Sequence, residues 1–395
     1  MLDLAKLNTQ MRQAAFELRA DLSLHHERKK QALNSWKNLL LRETELLEKG
    51  LKAGPNMHWS LARPLEPLVH RGRLPEIPER HIVLATDGSQ IAPSRHEVSP
   101  CYLLNIGLIR FIYGTGERPL QSSEPQLYYR EQDLYTTTKR QLIGISEEQI
   151  SMERSLKEVE KLADLAEETQ QKWPDLPALA LIDGSLHGIL PELNTQPPEA
   201  QTRALLRLNR AFERMQAAQI PVCAYISLSR RSEVVQLLRL ARCPFEFPNC
   251  NLHCAEGQEA CEGLTPLPDR ELWSGLLAQG ERSPLFSTHN PPPEPLANQA
   301  LCFFYLNCGS EIARLEIPRW VADRPDWLTQ IQALVYAQVE KGRGYPIALA
   351  EAHNQAVIKG ADRSQFYALL SRKLVEAQMG VTLSRKELKK RRGLV

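Results

Sequence analysis

Apolar residues at Leu4, Leu7, Met11, Ala15, Leu18 and Leu22 recur at steps of three and four, and Leu33, Trp36, Leu40 and Leu47 repeat the rhythm. That spacing lines one face of a helix, and Gly50 supplies a stop. The first fifty residues are therefore expected to form a helical extension or hairpin, packed on the core or on a partner. Proline-containing sequence over residues 55–78 leads to a change of period. Residues 82–85, Ile-Val-Leu-Ala, run into Thr86-Asp87-Gly88-Ser89, which predicts a buried strand that stops at a turn. Residues 102–113 predict a second strand and residues 127–135 a third.

From 147 to 171 the helical period returns, with Met152, Leu156, Val159, Ala163 and Ala166 on one face. A short apolar strand over 178–182 closes on Asp183-Gly184-Ser185-Leu186. A helix over 199–218, a strand over 222–228 and a helix over 233–239 follow. Three strands and then alternating helices and strands are compatible with an RNase H-like mixed sheet flanked by helices, and with several other α/β folds. Residues 243–298, rich in Cys, Pro and Asn, read as an insertion. Two more strands (302–307 and 312–317) and three helices (327–340, 346–358, 364–378) complete the prediction.

Composition adds exclusions. A formal net charge of +2 over 395 residues gives no bulk attraction to nucleic acid, so any DNA contact has to come from local patches. The longest apolar run, residues 300–306, is far too short to span a bilayer. No apolar segment follows Asp3, so a cytoplasmic protein without membrane partners is expected. Eight cysteines in such a chain do not read as a disulfide scaffold.

The sharpest chemical signal is a repeat: one apolar strand runs into Asp87-Gly88-Ser89 and another into Asp183-Gly184-Ser185. Carboxylates at the ends of neighbouring strands point into the crevice where open α/β sheets bind ligands. Two of them close together repel unless a cation lies between, and Mg²⁺ or Mn²⁺ there serves phosphodiester hydrolysis. A single Asp-Gly-Ser is an ordinary turn tripeptide, and only its repetition lifts the metal reading to parity. Glycine after each Asp is expected to let the backbone turn sharply.

Four stretches carry a resemblance to a known family. Residues 84–89 (Leu-Ala-Thr-Asp-Gly-Ser) and 181–186 (Leu-Ile-Asp-Gly-Ser-Leu) resemble the first and second motifs of NurA nucleases. Residues 344–353, in which Tyr345-Pro346 opens a helix that delivers His353, resemble the C-terminal motif, and Arg314-Leu315-Glu316-Ile317-Pro318 a late strand. The resemblance implies an RNase H-like fold and a Mn²⁺-dependent DNA nuclease, a 5′–3′ exonuclease and single-strand endonuclease in DNA end processing and repair. It also implies a homodimer and a HerA-type ATPase partner. Asp87 and Asp183 would be the central metal ligands, joined by a glutamate of the preceding helix. Glu158 fits best, with Glu153 and Glu160 open as alternatives. Tyr345 and His353 would join the catalytic set, and His353 could also bind the metal; it is expected to point inward from its helix. The family's lysine after the following strand is missing, and Arg230 and Arg231 stand there as candidate DNA contacts. On this reading residues 1–78 are the helical extension, 79–380 the nuclease domain with its insertion at 243–298, and 381–395 a basic tail. The competing reading is a non-catalytic DNA-binding or assembly subunit that keeps the fold.

Two features stand outside the resemblance. Cys243, Cys250, Cys254 and Cys261 could enclose Zn²⁺ or an iron–sulfur cluster, or could simply pack as small hydrophobes, since no Cys-x-x-Cys knuckle is present. Arg385, Lys386, Lys389, Lys390, Arg391 and Arg392 could touch DNA phosphates or only solubilise the tail. No phosphate-binding Gly-x-x-x-x-Gly-Lys-Ser/Thr loop occurs, so an energy-dependent process would need a separate motor.

Overall fold

A computed structural model of the chain describes residues 3–378, apart from 54–56, 58, 94–100, 139–140, 195, 255–260, 262 and 289–293. The chain divides into two compact units. One comprises residues 1–75, 225–292 and 300–319; the other comprises 76–224, 293–299 and 320–395.

The second unit is built on a mixed sheet. β1 (His81–Ile91), β2 (Tyr102–Tyr113) and β3 (Leu120–Tyr128) form an antiparallel meander. β4 (Ala178–Asp183) runs parallel to β1 on its other side, and β5 (Val222–Ile226), whose residues up to Ala224 belong to this unit, lies next to β4. The spatial order β3-β2-β1-β4-β5 is that of an RNase H-like sheet, as expected. Every residue from His81 to Thr86 is buried, because β1 is central and covered on both faces, and its apolar run therefore shows no alternation.

Four helices matter for the site: α1 (Glu147–Lys172), α2 (Pro198–Ala217), α3 (Pro325–Lys341) and α4 (Ile347–Ala356). Ser146 and Gln149 form a capping box that starts α1 and fixes its register. Its apolar stripe, from Met152 to Ala166, is buried. Polar contacts show which face of β1 each helix covers. Thr86 Oγ1 donates to the Glu158 carbonyl and Arg154 Nη1 to the Gly88 carbonyl, so the even-numbered residues face α1. Ser89 Oγ and Asn105 Nδ2 both donate to the Ala356 carbonyl, which ties the end of α4 to the opposite face.

Two strand boundaries differ from expectation. β1 does not stop at Thr86-Asp87-Gly88-Ser89; it continues to Ile91, pairing Asp87 with Gly107 and Ser89 with Asn105. What stops is its pairing with β4, whose last register pair is Ala85 with Leu181. The third strand covers Leu120–Tyr128, not 127–135, where a four-residue helix (Glu131–Leu134) and a small hairpin begin. β3 is a solvent-facing edge, so it lacks an apolar signature and tolerates Pro125.

The first unit carries a single 37-residue helix, Leu4–Leu40, capped by the Asp3 carboxylate, followed by the helix Glu43–Lys52. Its strands Ala62–Pro64, Phe286–Thr288, Leu301–Asn307 and Ile312–Pro318 are antiparallel neighbours in that order. The stretch expected as an insertion thus supplies a strand and the short helix Asp269–Trp273, whose Trp273 meets Trp36 edge-to-face at 5.2 Å. Inside this unit Arg314 is sealed from solvent. It bonds Glu233, Glu316 and the Tyr305 hydroxyl and lies 3.7 Å over the Phe303 ring. Asp269 is also sealed; it accepts from the Val234 and Val235 amides and the Tyr305 hydroxyl, and burial pushes its carboxyl up to about 7. No helix among the described residues is long and apolar enough to cross a membrane.

The seat of α4 on β2 depends on a missing side chain. A Cβ on Gly107 would lie 2.3 Å from the Ala352 carbonyl oxygen and 2.8 Å from the Ala356 nitrogen, both backbone atoms of α4. Gly107→Ala must push the helix off the sheet, at a cost of about 1–3 kcal/mol. Thermal unfolding should show a clear drop in Tm; an unchanged Tm would mean that α4 is not seated against β2.

Candidate active site

The crevice opens where β1 and β4 part. Asp87 and Asp183 each lie two residues beyond the last paired residues, Ala85 and Leu181, so register brings them to equivalent positions on diverging strands. Between them is a cavity of about 250 Å³ lined by Thr86, Asp87, Arg154, Glu158, Ile182 and Asp183, among others. Residues of β1, β4 and α1, three acidic ones among them, therefore border one small space, with Asp87 turned toward α4 and Glu158 reaching it from α1. The other two helix glutamates are engaged elsewhere: Glu153 and Glu160 both bind the Arg207 guanidinium of α2.

The two motif glycines do different jobs. Gly184 has φ +83°, the left-handed turn that glycine adopts without strain. Gly88 stays in the strand, contrary to the expected turn, and its role is room. A Cβ there would lie 2.5 Å from Glu158 Oε1 and 2.8 Å from Arg154 Cγ. The bare Cα lets α1 bring both side chains against the strand, and this close approach is what places Glu158 in the crevice.

Tyr345 and His353 reach the crevice from either end of the α4 segment. The Tyr345 hydroxyl donates to the Asp183 carboxylate, which also accepts from the Gly184 amide. His353 Nδ1 lies 2.8 Å from Asp87 Oδ2. The histidine does not point inward: its side chain is 67% exposed, while Leu349, Ala352 and Ala356 fill the buried face of α4. α4 lies near the strand ends, so a residue on its flank overhangs the crevice without entering the core. With Nδ1 engaged by Asp87, only Nε2 of this ring is left for a metal or a proton.

Charge dominates the site. Burial by surrounding protein atoms is the largest influence on Asp183 and raises its pKa although its tip reaches solvent; the nearby Asp87 carboxylate raises it further. The Tyr345 hydroxyl, the Gly184 amide and His353 offset this only in part. The donor chemistry fits a hard divalent cation: three carboxylates, no thiolate, and a carboxyl destabilised by its neighbour. The carboxylates share the cavity without closing around a single point, because among the described residues no three His, Cys, Asp or Glu stand close enough to enclose a metal ion. Arg154 shares the cavity and lies 3.7 Å from Glu158. It is a site residue that the sequence reading passes over; its spacing of four from Glu158 on one helix face is the available signal.

Other expected residues are not among those that line this cavity. Arg230 and Arg231 are exposed on the other unit, just after β5. Among the described residues, which include all four cysteines, no group of three that could hold a metal ion is found around them either. Cys250 Sγ packs on Met57 and Cys261 lies against the Arg239 guanidinium, because a short helix and a buried contact turn them to different neighbours. Arg385, Lys386, Lys389, Lys390, Arg391 and Arg392 lie outside the described residues.

The sequence matches the family model for the NurA domain over residues 81–358, more than half of the chain. No curated protein matches it. Among solved structures, it is similar to the NurA nuclease from Sulfolobus solfataricus, at 16% identity and a TM-score of 0.46 over 76% of this chain and 87% of that one. A NurA structure bound to dAMP and manganese matches at 14% identity and a TM-score of 0.37 over 76% and 89%. The catalytic domain of human Endonuclease V matches at 12% identity and 0.31 over 86% and 98%.

The crowding of carboxylates has a measurable sign. A carboxyl whose pKa is raised by folding favours its protonated form, so it withdraws stability as pH rises from its unfolded value through the raised one. Asp183→Asn should therefore raise the Tm at neutral pH in chelator and remove that part of the pH dependence. Added Mn²⁺ should narrow the gap by stabilising only the wild type. A variant less stable than wild type in chelator at neutral pH would contradict this electrostatic account.

Proposed function

The chain belongs to the NurA domain family, and from that premise we propose that it is a divalent-cation-dependent deoxyribonuclease working at the β1–β4 crevice. The observation that carries the reading is the convergence of Asp87, Glu158 and Asp183 on one cavity, with His353 and Tyr345 touching two of the three. Asp87, Asp183 and Glu158 would hold Mn²⁺ or Mg²⁺. Bound there, the cation would supply positive charge to the phosphodiester transition state and make water a usable nucleophile at neutral pH.

The chain's own groups would do the rest. His353, donating Nδ1–H to Asp87, keeps Nε2 as an acceptor on the solvent side, where it can take a proton from the attacking water. Asp87 holds that tautomer and steadies the charged ring, as a carboxylate does for a catalytic histidine. Tyr345 fixes the orientation of Asp183 and restrains the rise of its pKa. Arg230 and Arg231, exposed on the other unit, are proposed to bind the phosphate backbone. Family resemblance supports DNA as substrate, 5′–3′ exonuclease and single-strand endonuclease action in end processing, a homodimer, and a HerA-type ATPase as the motor this sequence lacks.

Labelled single- and double-stranded DNA incubated with Mn²⁺, Mg²⁺ or chelator tests the reading. Cleavage should require the cation and vanish in Asp87→Asn and Asp183→Asn. Glu158→Gln should be severely impaired, whereas Glu153→Gln and Glu160→Gln, which sit on Arg207, should stay near wild type. Wild-type cleavage by either aspartate variant would refute the assignment.

A second comparison separates proton transfer from packing. His353 is exposed, so His353→Ala should leave Tm nearly unchanged while lowering the rate about 10²- to 10⁴-fold. A Tm loss with normal turnover would return His353 to a structural role.

A further inference from the structure

The crevice holds one cation of its own. Arg154 stands one helical turn before Glu158 on α1 and lines the same cavity as the three carboxylates. Nη1 is anchored across the strand on the Gly88 carbonyl at 3.0 Å. Nε is buried, stops 3.7 Å short of Glu158 Oε1, and makes no hydrogen bond. A guanidinium placed for packing usually satisfies its buried donors, and elsewhere in this unit Arg207 does so with two glutamates. In the crevice one donor is used on a neutral carbonyl and another is left unspent beside a carboxylate. The attraction is electrostatic and loosely fixed, which suits a side chain that must let go.

The order of residues argues the same way. Arginine four residues before glutamate is the weaker orientation for a helix ion pair, so helix stability gives little reason for it. Space is nevertheless made for it: a Cβ on Gly88 would collide with Arg154 Cγ. We infer that Arg154 is the resident counter-ion of the metal-free crevice, and that an arriving divalent cation takes over its charge-balancing role and frees the guanidinium to bind the phosphate of the substrate. The inference rests on the crevice being the cation site. A guanidinium is well matched to a phosphate by its planar fork of donors, and a freed Arg154 would lie beside the scissile group.

The test titrates Mn²⁺ alone into full-length wild type, Arg154→Gln, Arg154→Lys and Asp183→Asn by calorimetry, with Tm recorded in chelator and in Mn²⁺. Removing a like charge from beside the cation should tighten Mn²⁺ binding by Arg154→Gln about tenfold. The same variant should melt lower in chelator and recover when Mn²⁺ is added. Arg154→Lys, which keeps the charge, should bind Mn²⁺ within about twofold of wild type. In saturating Mn²⁺, a deoxynucleoside monophosphate, which carries the phosphate but offers no phosphodiester to cut, should bind Arg154→Gln about tenfold more weakly. A purely structural arginine would move both affinities in the same direction. Folded Arg154→Gln that binds Mn²⁺ no tighter than wild type overturns the inference while the metal site stands. Wild type that shows no Mn²⁺ binding sensitive to Asp183→Asn overturns the metal reading and this inference with it.

Discussion

Three acidic residues bordering one small cavity are the constraint on which the rest of the second unit depends. Left alone they would repel, and burial with the nearby Asp87 carboxylate holds Asp183 above the ordinary carboxylate range. The neighbouring structure opposes this with directed positive or donating groups: the Arg154 guanidinium from α1, the Tyr345 hydroxyl and the His353 ring from the α4 segment, and the Gly184 amide from the turn after β4. Each depends on a local feature of the fold. The capping box sets the phase of α1, bare Gly88 admits its side chains, and bare Gly107 lets α4 lie close enough for its flank to overhang the strand ends.

The Arg314 cluster of the other unit is a useful contrast. It too gathers an excess of acid around one guanidinium, with Glu233, Glu316 and Asp269 sharing a space that solvent does not reach. There the balance is internal: Arg314 is satisfied on several sides, backbone amides bind Asp269, and a carboxyl titrating near neutrality can hold a proton. In the crevice the arginine is only partly engaged and the carboxylates reach solvent. Sealed and satisfied acid serves packing; open and under-neutralised acid is what the proposed cation site requires.

Much of the sheet is legible in the chain because its central strands are apolar on both faces and its helices carry one-sided stripes. β1, β4 and α1 owe their legibility to Ile82–Ala85, Ala178–Ile182 and the run from Met152 to Ala166. β3 escapes the pattern because an exposed edge strand has no apolar requirement, so Leu127 and Tyr128 look like a beginning when they are an end. The aspartates stand out through the repeated tripeptide, but the glycines beside them look alike: one turns the chain and one vacates space, and only packing distinguishes those uses. Helical periodicity offers Glu153, Glu158 and Glu160 equally, because the competing pull of Arg207 comes from 54 and 47 residues beyond Glu153 and Glu160. His353 reads as an inward residue because nothing in the sequence tells that α4 lies at the edge of the strand ends. Arg154 stays hidden because a charged residue on a helix surface is ordinary until its neighbours are known.

The arrangement also has a direction in time. Asp87, Glu158 and Asp183 belong to the first half of the sequence, whereas Tyr345 and His353 lie close to the end of the described chain. During synthesis β1, α1 and β4 leave the ribosome long before α4, and β2 can present Gly107 to nothing until α4 arrives. A nascent chain would therefore carry the acidic crevice without the tyrosine and histidine that complete it. For a site of the kind proposed above this order is protective, because the crevice stays incomplete until α4 has been made.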